Sequence, residues 1–141
     1  MIDLDASIVP GKSSAGILIG SDVRILADSV SSTKPDTAGS LALDFGPVKV
    51  WSNGTFVTQI GVYGGYRGSL GSSIRIGSTI DQIQQLFDLP VIEDDEDSLI
   101  VAGSPGWCFE TEDWGGDHTI GQNLKSRITA IFVFAGIRRL V

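Results

Sequence analysis

Two stretches of this chain repeat one pattern 57 positions apart, counted from 17 to 74: Ile17-Leu-Ile-Gly-Ser-Asp-Val-Arg-Ile-Leu26 and Ile74-Arg-Ile-Gly-Ser-Thr-Ile-Asp-Gln-Ile83. In the shared I-x-I-G-S-x-[V/I]-x-x-[L/I], isoleucines two apart lie on one face of a strand. The glycine permits a turn, and the Ser or Thr after it suits a helix N-cap. In the second copy Thr79 and Gln82 form a capping box, and Ile80, Ile83 and Phe87 make an apolar helical stripe. Val23, Leu26, Ala27 and Val30 do the same in the first. Each copy therefore predicts a strand running into a short helix. Duplication and convergence on common turn chemistry account for the pattern equally well.

Most of the remaining chain reads as strands. Val48–Ser52 and Thr55–Ile60 flank Asn53-Gly54, the strongest short hairpin signal here; a two-residue turn would pair Trp51 with Phe56 and Val50 with Val57. Asn53-Gly54-Thr55 also matches a glycosylation sequon and reads better as that turn. Leu41–Phe45, Ser98–Ala102, Trp107–Thr111 and Arg127–Phe134 are further strands, the last apolar on both faces, as a central strand is. Residues 61–73 form a Gly-rich connection. The expected fold is α+β: a largely antiparallel sheet with two short helices, in a single domain over 1–141. No basic n-region, apolar signal core or membrane-length apolar run is visible, and the lone Cys108 suits a reducing compartment, so a cytoplasmic location is expected.

Charge is unevenly distributed. The net −7 hides a stretch, 76–124, with eleven Asp and Glu and no Lys or Arg; the rest holds ten basic against six acidic residues, or +4. Such polarity steers cationic partners and repels nucleic acid, although many acidic faces serve solubility alone. The acids fall in two groups: Glu93, Asp94, Asp95, Glu96 and Asp97, read as a turn, then Glu110, Glu112, Asp113 and Asp117. The second group interleaves with Trp107, Phe109 and Trp114. Trp107 and Phe109 share one strand face and point inward if that face is the core one, as parity favours for at least one face; Trp114, before Gly115-Gly116, is the better candidate for an exposed anchor.

Catalytic and metal patterns are weak. His118 and Cys108 could meet as a dyad, but a lone Cys on an apolar strand is more often a core filler. No G-x-S-x-G elbow, dinucleotide fingerprint or Walker motif is present; Gly11-Lys12-Ser13 lacks the upstream glycine and strand. An EF-hand begun at Asp94 or Asp95 places Leu99 or Ile100 where glycine is required, and zinc would need more than one Cys and one His. No metal and no cofactor are expected.

Ile74-Arg-Ile-Gly-Ser-Thr-Ile before a short helix, an acidic turn, then Gly106-Trp-Cys-Phe-Glu-Thr-Glu-Asp-Trp114 is similar to small acidic immunity proteins of bacterial contact-dependent growth-inhibition systems, over residues 68–134. That resemblance implies a non-enzymatic antitoxin that binds a cognate cationic toxin domain, commonly a nuclease, one to one, without touching nucleic acid or membrane. It supplies no contact residue by position. The acids from Glu93 to Asp97 with Glu110, Glu112, Asp113, Trp114 and Asp117 are the candidate partner-binding set. A small hydrolase using Glu110, Glu112 or His118, or an adaptor subunit of another complex, remains the alternative.

Overall fold

In the computed structural model, which describes residues 2–29, 32–35, 41–93, 98–112 and 124–135, Asn53-Gly54 turns the chain, but not as a two-residue hairpin. Asn53 Oδ1 accepts the amides of Thr55 and Phe56 at 3.0 and 2.9 Å, and Gly54 takes a φ of +100°. This side-chain-closed turn is longer than the backbone pattern alone suggests. The strands rejoin with Ser52 opposite Val57, then slip past Thr58 so that Trp51 faces Gln59 and Val50 faces Ile60. The predicted pairs Trp51–Phe56 and Val50–Val57 are therefore replaced. The bulge has a use: with one residue skipped, Val57, Ile60 and Val62 all reach the core despite their uneven spacing.

In chain order the strands are β1 (Ser13–Ser14), β2 (Ile17–Leu18), β3 (Ser32–Pro35), β4 (Leu41–Asp44), β5 (Val48–Ser52), β6 (Val57–Val62), β7 (Val91–Glu93), β8 (Leu99–Val101), β9 (Trp107–Thr111) and β10 (Ile128–Phe134). Among the described residues, β1 and β2 pair in a small ribbon and the other eight strands form one sheet, ordered β3-β4-β5-β6-β10-β9-β8-β7, with antiparallel neighbours throughout. β10 is central, as its two apolar faces require. Glu93 is a correction: it ends β7 opposite Leu99 rather than lying in a turn. A three-residue strand leaves little alternation to read in sequence.

Helical structure also differs from expectation. The second repeat copy forms α1 (Ile80–Phe87): Gln82 Oε1 accepts the Thr79 amide at 2.8 Å, the predicted half of a capping box, and Ile80 and Ile83 are buried. It ends at Asp88, in a left-handed conformation (φ 54°). The first copy forms a 3₁₀ helix, Val23–Ser29, so α1 is the one α-helix among the described residues. Val23 and Ile25 crowd the first turn with β-branched side chains, while Asp22 caps it, accepting the Arg24 amide at 2.9 Å. The strand expected before α1 shrinks to a single bridge, Leu70 with Ile74.

One sheet face carries the main core. Val50, Ile60, Leu99, Trp107, Phe109 and Ile131 meet Ile17 of the N-terminal arm, Leu26 of the 3₁₀ helix, Leu70, and Ile83 of α1. The opposite face carries a second, smaller cluster: Cys108, Ala130, Phe132 and Phe134, flanked by half-buried Trp51, Tyr63 and Ile100. No helix among the described residues is long and apolar enough to cross a membrane.

Candidate interaction face

β9 divides its side chains by parity, and the division decides which predicted residues can reach a partner. Trp107, Phe109 and Thr111 point into the core; Cys108 and Glu110 point to the other face. Trp107 stacks between Phe87 and Phe109, with centroids 5.8 and 5.5 Å away, and donates its indole N–H to Ser104 Oγ at 3.0 Å. It belongs to the fold and presents nothing outward. Cys108 is fully buried in the second cluster, where a thiol packs as a small apolar group.

Glu110 is half-buried on that second face. It shares the face with Tyr63, Trp51 and Phe132; the last two rings lie 6.0 Å apart, and Tyr63 meets Phe132 edge-on at 5.9 Å. Lys49 sits 5.4 Å from the Trp51 ring centroid, a cation–π contact. The Tyr63 phenol is pushed up to about 12, first by burial and then by the negative charges of Glu110 and Asp44. Sequence reasoning missed Tyr63 and Asp44, since only cross-strand pairing brings 44, 63 and 110 together.

Glu110 and Glu112, two apart and expected on one face of a strand, are not both within it. β9 stops at Thr111, so two-residue parity no longer applies; Glu112 is exposed in the turn, its amide bonded to Arg127 O at 3.0 Å. Asp94, Asp95, Glu96, Asp97, Asp113, Trp114, Asp117 and His118 lie outside the described residues, and of Glu93 only the backbone is described. The ion pairs among the described residues use other acids: Arg24–Asp22 at 2.6 Å, Arg67–Asp5 at 2.7 Å and Lys125–Asp81 at 2.6 Å. Among the described residues, no group of three His, Cys, Asp or Glu is gathered to hold a metal ion.

The position of Glu110 has a spectroscopic consequence. Glu110→Gln should lower the Tyr63 phenol pKa from about 12 while leaving it above the ordinary 10.0, because burial is the larger cause and stays. Titration of phenolate absorbance in both proteins measures this, with Tyr63→Phe assigning the signal. An unchanged midpoint would separate Glu110 from Tyr63. The sign for stability follows: the folded pKa is raised, so the contribution of Tyr63 is fully present below pH 10 and is lost as pH rises through about 12.

No family model matches the chain, and no curated protein matches it. Among solved structures it is similar to the uncharacterized protein yfeY from Escherichia coli, with 13% sequence identity and a TM-score of 0.56, over 92% of this chain and 99% of that one. At that identity the likeness is one of fold.

Proposed function

We propose that this chain is a cytoplasmic, stoichiometric inhibitor of the immunity-protein kind, which neutralises a cationic toxin domain by occupying its nucleic-acid-binding or active site. One observation carries the reading: Glu110 and Glu112 enter none of the ion pairs among the described residues. Their charge is left available to a partner, and both belong to the interval 76–124 that has no basic residue of its own. Asp113 and Trp114 follow Glu112 directly in sequence and Asp117 comes after Gly115-Gly116, extending the same acidic, aromatic stretch. Carboxylates stand in for nucleic-acid phosphates on such a cationic surface, and complementary charge acts chiefly on the rate of encounter.

The test uses stopped-flow association with a cationic toxin domain, taken from a neighbouring reading frame that ends in one; the lack of any such domain that binds would also sink the proposal. Steering by this face makes association fall steeply with salt, since screening shortens to about 8 Å near physiological ionic strength. Charge reversal at both positions, Glu110→Lys with Glu112→Lys, should slow association about tenfold or more at low salt and flatten its salt dependence. A double variant that associates as fast as the parent, with the same salt slope, would sink the proposal.

A further inference from the structure

The sheet order is palindromic about the β6·β10 pair. β5 flanks β6 as β9 flanks β10; β4 and β8 come next, then the edges β3 and β7. The 3₁₀ helix precedes the first set in sequence and α1 precedes the second. Hydrogen bonds repeat in the same detail. Gly20 donates to Val57 O at 2.8 Å, and Gly77 donates to Ile128 O at 2.9 Å. Val57 donates to Ser21 O at 2.9 Å, and Ile128 to Ser78 O at 2.7 Å. Each hairpin skips one residue at the same place, Thr58 in one and Thr129 in the other. Each skipped threonine donates its hydroxyl to a carbonyl of the neighbouring strand: Thr58 to Trp51 O at 3.2 Å, Thr129 to Glu110 O at 3.4 Å. Shared turn chemistry explains the I-x-I-G-S repeat by itself; it does not explain matching bulges in strands that the repeat does not contain.

We infer that the chain consists of two copies of one helix-plus-four-strand unit, joined across β6·β10 as the two protomers of a symmetric dimer would be. Taking Val57 to Ile128, a step of 71, takes Gly61 to Phe132, and these two residues are cross-strand partners. The pair is its own image, which places a pseudo-two-fold axis through it. An isologous contact repeats each residue pair across its axis: Ile60 faces Val133 and Val62 faces Ile131. The surface that β6 presents to β10 therefore fits a second copy of the same unit. On the axis the copies cannot be identical. A Cβ on Gly61 would lie 2.9 Å from the Phe132 ring, so one copy holds glycine where the other holds the aromatic.

Equivalence also identifies an insertion. Between the paired residues Ser52 and Val57 the first hairpin has four residues, 53–56; between Thr111 and Ile128 the second has sixteen, 112–127. The ends match: Asn53 donates to Phe56 O at 3.2 Å and Glu112 to Arg127 O at 3.0 Å. The twelve residues 113–124 are thus additional to the shared unit.

Deleting 113–124, with Glu112→Asn and Lys125→Gly to reproduce Asn53-Gly54, leaves a four-residue turn and tests the equivalence. A companion variant carries the same two substitutions, so that both lose the Lys125–Asp81 ion pair, and replaces 113–124 by a Gly/Ser linker of the same length. Both should fold, with Trp107 buried and, since both lack Trp114, with near-ultraviolet circular dichroism that matches between the two variants. The deletion variant should melt no lower than the linker variant, because the shorter loop is entropically cheaper to close. If the linker variant folds and the deletion does not, the hairpins are not equivalent. If neither folds, 113–124 is integral to the fold; either result overturns the inference.

Discussion

Trp107→Ala is expected to remove about 3–5 kcal/mol of folding stability. Trp107 is 1% exposed, stacked on both sides and hydrogen-bonded through its indole nitrogen. Truncation loses the transfer energy of a large ring, opens a cavity between α1 and the sheet, and leaves Ser104 without its donor. A domain of this size has roughly 5–15 kcal/mol in total, so the variant approaches the limit of folding. The urea midpoint should fall with little change in slope, the signature of altered stability rather than altered compactness. A loss under about 1 kcal/mol would contradict the inward placement of β9's odd-numbered residues, since such burial cannot be that weak. Trp51→Ala, on a half-buried ring of the second face, should cost less.

Gly68→Ala should destabilise through the backbone. A Cβ at Gly68 would stand 1.9 Å from Ala6 O and 2.8 Å from the Tyr66 ring. Neither can yield easily. Tyr66 Oη accepts the Ala15 amide at 2.9 Å and donates to Ala6 O at 2.6 Å, while the Gly68 amide donates to Leu4 O at 3.1 Å. The N-terminal arm is stitched to residues 66–70 at the point where the methyl would enter. Overpacking of this kind costs about 1–3 kcal/mol, and a rigid backbone neighbour argues for the upper end. Hydrogen exchange locates the damage: the Ile8 amide, bonded to Ser69 O at 2.9 Å, should lose protection before the amides of β10 do. Equal loss everywhere would mean that the arm and sheet open as one unit, against this account.

The sequence by itself determined the elements whose signal is local. β10 reads as central because both of its faces are apolar, and it is central. Thr79 and Gln82 are close enough in sequence to mark the start of α1 before any tertiary contact exists. Period-two alternation puts Trp107 and Phe109 on one face of β9 wherever the strand lies; that this face is the inward one is seen in the fold. The deficit of basic residues from 76 to 124 is likewise a property of the chain alone.

Tertiary structure decided what depends on distant partners. The bulges at Thr58 and Thr129 arise from pairing across strands, so no local pattern announces that the Asn53-Gly54 turn is longer than two residues. The two repeat copies both start with a capped helix, Asp22 accepting the Arg24 amide and Gln82 the Thr79 amide, yet only the second runs on as an α-helix; the local pattern does not separate them. Edge strands β3 and β7, four and three residues long, are too short to show a period and exist because β4 and β8 offer them a ladder. The chemistry around Glu110 is also tertiary: residues 44, 63 and 110 meet only once the sheet has formed, and there burial acts with negative charge to hold the Tyr63 phenol neutral. The two-fold relation between the halves is the largest such case. Its evidence is hydrogen-bond register, which side-chain identity barely constrains, so two copies can diverge in sequence while their backbones keep the same bonds.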